Sequence, residues 1–260
     1  PDLGDGRGFT FAQMLDTAGR LMDLGTKGSG QTPWSRHGDG RLTLKGGVRE
    51  LLATEMLEAL GVRTSRSLSL FETGESLYRG DEPSPTRSAV LVRLSHGHIR
   101  YGSFQRLAAL KLPGHVERLT DYVLRHLARL DPGPDPYATL MAYAVEGMAR
   151  LMAQWHVAGF VHGVLNTDNM NITGESFDYG PWRFLPAWDM QFTAAYFDQT
   201  GLYAFGRQGE AVQWNLVQMA HALRIAAPAE SLVPALRTWP DALSAHLRAQ
   251  ALWRLGLQRA

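Results

Sequence analysis

The sequence has no cysteine, which excludes disulfides, thiolate metal centres and cysteine nucleophiles and suits a reducing cytoplasm. No apolar run approaches the ~18 residues needed to cross a bilayer, and no signal peptide is read at its start, so no membrane association is expected. It opens at Pro1-Asp2-Leu3-Gly4 without Met, and so reads as a fragment or an internal start. Excess charge is missing too: 26 Lys and Arg against 25 Asp and Glu leave a net charge of +1. That balance argues against nucleic acid or an acidic membrane as a partner. Walker A, G-x-G-x-x-G, HExxH and G-x-S-x-G motifs are all lacking, so the common NTPase, dinucleotide, zincin and hydrolase readings lose support. There is no internal repeat and no low-complexity segment. What remains is an ordinary globular composition, 45% hydrophobic and 20% charged over 260 residues, enough for a full core in one domain or two lobes.

The period of the apolar residues divides the chain. Up to about residue 102 it is rich in Gly, Ser and Thr. Leu21 to Thr26, Ser67 to Phe71 and Ser88 to Leu94 read as strands. One helix is predicted from Gly46 to Leu60, with Val48, Leu51, Leu52, Met56, Ala59 and Leu60 on its apolar face and Gly61 as its stop. Glu75 to Arg87, with two prolines, reads as an exposed loop. From Ser103 the pattern turns helical. His115 to Leu130 is one predicted helix, and Tyr137 to Ala158 is the strongest, its apolar residues (Leu140, Met141, Ala144, Val145, Met148, Leu151, Met152, Trp155) recurring at helical spacing before Gly159. The Met residues read as core packing, and His156 as a packing or capping residue. Further helices are expected over Val212 to Ala226 and from Ala227 to the end. The expectation is an α+β, protein-kinase-like two-lobed fold: a small mixed strand and helix N-lobe over residues 1–102, then a larger helical C-lobe over 103–260.

The segment from His162 to Gly180 carries the chemistry. Protein kinases have H-R-D-x-x-x-x-N followed by D-F-G, with the first Asp as base and the Asn and second Asp on magnesium. On that spacing His162, Asn169 and Asp178-Tyr179-Gly180 fall in place, but the base position is Val164, which can neither accept a proton nor bind metal. Asp168 is the one carboxylate in the loop able to replace it. Lys27, at the end of a predicted strand, and Glu50, off the apolar face of the next helix, match the Lys–Glu pair that holds nucleotide phosphate in kinases. Arg93 and Arg100 flank Ser95 to Ile99 and offer forked donors for phosphate. Gly4-Asp5-Gly6-Arg7 and Gly38-Asp39-Gly40-Arg41 read equally as close-approach segments or as Asp-Gly turns.

Together these stretches resemble the SelO (selenoprotein O) family of kinase-like proteins over roughly residues 3–225. The matching residues are Leu3 to Arg7, Lys27 to Gly30, Thr32 to Arg36, Gly38 to Arg41, Arg49-Glu50, Ser95 to Gly102, His162 to Met170, Asp178 to Pro181 and Trp214 to Leu216. The resemblance implies a nucleotide bound in a flipped orientation, so that AMP passes from ATP to Ser, Thr or Tyr hydroxyls of proteins. It further implies that Lys27 contacts phosphate and pairs with Glu50, and that Gly4, Gly6, Arg7, Asp39, Gly40, Arg93, Arg100 and Asp178 contact the nucleotide. Asp168 would be the base, while Asn169 and Asp178 would hold magnesium or manganese. The chain departs from the family in lacking the Gly-rich residues before Leu3 and a long C-terminal extension, which in many members ends in a redox-active cysteine or selenocysteine pair. It also reads Lys45-Gly46-Gly47 where Arg-Ser-Ser is usual. Two rival functions are carried: a kinase for proteins or small molecules, which His162-Gly163 echoes and Val164 opposes, and a catalytically silent nucleotide-binding scaffold.

Overall fold

The computed structural model describes residues 9–33, 35, 38–80 and 82–257; Gly4, Gly6 and Arg7 lie outside them. The chain forms two compact units. One gathers the residues up to Ala59 with Thr64–His98, the other Leu60–Arg63 with Ile99 onward.

The first unit is an antiparallel sheet with one helix. Its strands are β1 (Thr10–Leu15), β2 (Leu21–Lys27), β3 (Leu42–Thr43), β4 (Arg66–Leu77) and β5 (Thr86–Ser95), and helix α1 (Leu44–Ala59) follows β3. β5 is the central strand. It pairs with β4 on one side, and with β2 and the short β3 on the other. Alternation along β5 buries Ala89, Leu91, Arg93 and Ser95. Lys27 stands opposite Leu91 in the ladder, and residues directly opposite share a face, so Lys27 and Arg93 project from the same side of the sheet.

Helix α1 corrects the expectation drawn from its apolar stripe. Val48, Leu52 and Met56 are more than 40% exposed, whereas Gly47, Glu50, Ala53, Thr54 and Leu57 are buried. Small and polar residues face the sheet because it presents partners for them. Thr54 Oγ1 shares a hydrogen bond with Ser67 Oγ at 3.0 Å, and Leu70 packs so closely on Gly47 that a Cβ there would lie 2.6 Å from its Cδ1. β1 is a strand that the sequence reading did not anticipate. Its six residues are all exposed on the sheet edge, so burial imposes no alternation on them.

The second unit is mostly helical: α2 (Tyr101–Ala109), α3 (Pro113–Tyr122), α4 (Pro136–Ala158), α5 (Gln208–Leu223), α6 (Ala229–Arg237) and α7 (Trp239–Arg254), with a two-residue hairpin of β6 (Phe160–Val161) and β7 (Arg183–Phe184). α4 is the hub, packed against α5, α6 and α7. The eight apolar residues picked from its sequence are all buried. Asp135 caps its start, accepting from Tyr137 N at 3.2 Å and Ala138 N at 3.0 Å, and Gly159 ends it in the left-handed conformation. The helix expected at 115–130 divides: α3 stops at Tyr122 and a wider π-type turn, Val123–Ala128, completes it. The C-terminal helix expected from Ala227 is likewise two helices, interrupted at Thr238 before Trp239-Pro240. Residues 185–204, to which no element was assigned from sequence, are irregular. There Asp198 ties the chain by accepting from Leu202 N and Tyr203 N at 2.8 and 2.7 Å. The α+β class and the kinase-like order of elements are both present. Among the described residues no helix is long and apolar enough to cross a membrane.

Candidate active site

In the first unit the sequence-chosen cations converge on one carboxylate. Lys27 Nζ donates to Glu50 Oε2 at 2.6 Å, and Arg93 Nη1 donates to Glu50 Oε1 at 3.0 Å. All three are buried: Lys27 is 5% exposed, Glu50 1% and Arg93 4%. The helix contributes Glu50 from its sheet-facing side, and the shared face of β2 and β5 contributes the cations. Arg93 was read from sequence as a nucleotide contact; its role as the second arm of Glu50 was missed.

Beside this cluster run two glycine segments. Gly30 N donates to Gly40 O at 3.2 Å, and Ser29 bridges Arg41. Gly40 has φ +66°, and a Cβ there would fall 2.0 Å from Gly30 O, so the approach needs glycine. Asp39 next to it is engaged by protein donors: Arg41 N at 2.9 Å, and Arg79 Nη1 and Nη2 at 2.7 and 3.1 Å. Burial pushes the Asp39 carboxyl upward, but the Arg41 amide and the Arg79 guanidinium outweigh it and hold the group below its ordinary value. Arg79 sits in the stretch read as a loop, and nothing in the sequence pointed to it.

In the second unit the loop after α4 is fixed at every turn. His162 N donates to Gln208 Oε1 at 3.0 Å, and Gln208 Nε2 donates to Phe160 O at 2.9 Å. Val164 N donates to His162 Nδ1 at 3.4 Å. Nδ1 therefore accepts, which leaves the proton on Nε2, 3.3 Å from Phe177 O. Gly163 has φ +86°, and a Cβ there would lie 2.9 Å from Pro181 Cγ and 3.1 Å from Ala194 Cβ.

The short 3-10 turn Thr167–Asn169 is capped by Asn166, whose Oδ1 accepts from Asp168 N at 3.1 Å and Asn169 N at 3.2 Å. Asp168 is half-buried. Asn169 Nδ2 donates to Val164 O at 2.8 Å, so the other end of the amide offers an acceptor oxygen. Asn215 Nδ2 supports the turn through Leu165 O at 2.8 Å. Neither Gln208 nor Asn215 was singled out from sequence as a site residue, although Asn215 lies in the Trp214 to Leu216 stretch.

Asp178 is buried at 8% exposure and has φ +61°. Left-handed backbone at a non-glycine residue costs on the order of 1–2 kcal/mol, so its surroundings hold it there. Arg100 Nη2 is 3.8 Å from Asp178 Oδ2, and its guanidinium carbon lies 5.2 Å from the centre of the Phe177 ring. Backbone contacts set that position: Arg100 bridges Asn171, Tyr101 N donates to Met170 O at 3.0 Å, and Ile172 N donates to Ile99 O at 2.9 Å. Arg100, Asp168, Asn169 and Asp178 are therefore brought into one neighbourhood of this unit.

The donor set suits a hard cation. Asn169 offers an amide oxygen and Asp178 a carboxylate, and magnesium is commonly held by one or two such groups, with phosphate oxygens and water completing the shell. Among the described residues no group of three or more His, Asp or Glu gathers as a metal site.

A family model described as protein adenylyltransferase SelO matches residues 1–260. The protein nucleotidyltransferase YdiU of Synechocystis sp. is 52% identical over 243 residues, covering 92% of this chain and 51% of that one. Its namesake in Trichormus variabilis is 50% identical over 260 residues, covering 100% of this chain and 54% of the relative. The Vibrio cholerae protein of the same name is 40% identical over 258 residues, covering 99% and 52%. The chain thus spans about half the length of the curated relatives it matches. Among solved structures, "WaaP in complex with acyl carrier protein" covers 95% of this chain and 84% of its own at 15% identity and a TM-score of 0.35, a superposition too loose to carry an argument. Over residues 1–260 the chain belongs to the protein adenylyltransferase SelO family.

Proposed function

We propose that the chain transfers AMP from ATP to Ser, Thr or Tyr hydroxyls of proteins, with release of pyrophosphate. The observation that carries this reading is the shape of the loop. Val164 occupies the kinase base position and its carbonyl is consumed by the Asn169 amide, while Asp168, half-buried beside Asn169, is the carboxylate available to an acceptor. The family model and the nucleotidyltransferase relatives support nucleotidyl rather than phosphoryl transfer.

In this reading Asp168 takes the proton from the acceptor hydroxyl as its oxygen attacks the α-phosphorus. The bond from the α-phosphorus to the bridging oxygen breaks, and pyrophosphate leaves. Lys27 and Arg93, steadied by Glu50, bind phosphate oxygens, as does Arg100. Forked and ammonium donors held rigid before the reaction stabilise the charge that develops. Gly4, Gly6, Arg7, Asp39 and Gly40 complete the nucleotide contacts. Magnesium or manganese, held by Asn169 and Asp178, supplies neutralisation of the triphosphate charge when bound. The proposed lobes are residues 1–102 and 103–260, and the proposed compartment is the cytoplasm, on the lack of cysteine.

The deciding experiment supplies ATP labelled at the α- or the γ-phosphate and follows label into protein. Label arriving from the α-position alone is the expected result. Label from γ alone would make the chain a kinase, and no transfer from either would leave it a nucleotide-binding scaffold. Asp178→Ala should abolish metal-dependent transfer.

A further inference from the structure

We infer that Gly102, in the first turn of α2, is the positioning residue for Asp168: the base carboxylate occupies the space that any side chain at 102 would fill. This rests on the reading of Asp168 as the base. A Cβ at Gly102 would lie 2.2 Å from Asp168 Oδ1 and 3.3 Å from its Cγ, and the next nearest atom, at 3.7 Å, is also Asp168's. Nothing else crowds the position more closely.

The backbone gives no other reason for glycine. Gly102 is the second residue of α2 and is absent from the residues with positive φ. Glycine is less favourable than alanine in a helix, by up to about 1 kcal/mol in its interior. A glycine that weakens its own helix and serves no turn is there for room. The room is used by one oxygen of one carboxylate.

The surrounding contacts keep α2 and the Asp168 turn in register. Gln105, three residues further along α2, accepts from Thr167 Oγ1 at 2.5 Å. On the other side of Asp168, Tyr101 N donates to Met170 O. The turn is thus held to α2 before and after Asp168, and the carboxylate between them rests on the bare face of Gly102. The peptide N–H groups of a helix's first turn carry partial positive charge, which favours a carboxylate on this wall.

The test is Gly102→Ala, a change that favours the helix and is not expected to impair folding. Displacing the base by about an ångström lowers turnover by about 10–100-fold. The expected result is that loss in kcat for AMP transfer, with the KM for ATP within about twofold and the melting temperature preserved. In an Asp168→Ala background the same substitution should add no further loss. Wild-type kcat in Gly102→Ala, alongside an inactive Asp168→Ala, would overturn this inference alone. Full activity in Asp168→Ala would overturn the reading it rests on.

Discussion

Replacing Glu50 with alanine should destabilise the chain by about 3–5 kcal/mol, the range found when one partner of a buried ion pair is removed. The reasoning follows from its contacts, 2.6 Å to Lys27 and 3.0 Å to Arg93, at 1% exposure. With an effective dielectric of ~20, each contact is worth on the order of 5–6 kcal/mol of attraction. Against this stands a desolvation cost of several kcal/mol for each of the three ions, so the intact cluster is close to break-even. Deleting the carboxylate removes that attraction from two buried cations. For a chain of this size the melting temperature should fall by about 6–20 °C. Calorimetry and urea unfolding read the effect directly. The triple variant Lys27→Met, Glu50→Leu, Arg93→Met should regain most of the lost stability, since apolar groups of similar volume need no compensation, yet should not regain the proposed AMP transfer. A Glu50→Ala chain within about 1 kcal/mol of the parent would refute the buried cluster. A triple variant less stable than the single one would refute the charge argument.

Gly163→Ala should cost about 1–3 kcal/mol, because its φ of +86° is strained for alanine and the new Cβ meets Pro181 and Ala194; an unchanged urea midpoint would contradict this. His156 stacks on Phe205 at 4.3 Å, and burial holds its imidazole below the ordinary 6.5. Its folded state therefore resists protonation: stability is full above about pH 6.5 and declines as pH falls below it. His156→Phe should remove that part of the slope, seen as a smaller loss of denaturation midpoint between neutral and mildly acidic buffer. Tyr101 has a fully buried hydroxyl with no hydrogen-bond partner among the described residues, and burial, with Tyr143 adding to it, drives its pKa far upward. Tyr101→Phe should keep stability or raise it by up to about 1 kcal/mol, and a loss beyond that would show that the hydroxyl is needed.

The parts of the fold that were legible in sequence are those where one physical signal dominates. α4 announces itself through eight apolar positions at helical spacing, with Asp135-Pro136 at one end and Gly159 at the other. The 162–180 loop stood out as a candidate because ligand chemistry restricts residue type at fixed spacing, and the Lys27–Glu50 pair that this frame pointed to is formed at 2.6 Å. α1 was misread because its stripe of Val48, Leu52 and Met56 is the outward side. Its buried side is chosen by a charge cluster and by close backbone approach, which hydrophobicity does not report. β1 was invisible because an exposed edge strand needs no alternation. Residues 185–204 carry apolar residues without forming a helix, and towards their end Asp198 takes the Leu202 and Tyr203 N–H groups. Arg79, Gln105 and Gln208 were not legible because each acts on a residue far away in sequence, at separations of 40, 62 and 46 positions.

Gln208 opens α5, 30 positions after Asp178 in sequence, yet the placing of Asp178 depends on it. Its amide takes the His162 N–H and gives to Phe160, the imidazole holds Phe177 O, and Phe177 precedes Asp178. An error at the start of a downstream helix would thus pass through two side chains to a carboxylate whose backbone is already strained. The loop works like an instrument whose calibration screw lies on another element. Drift at Gln208 should appear first as misalignment of Asp178, before any loss of the fold.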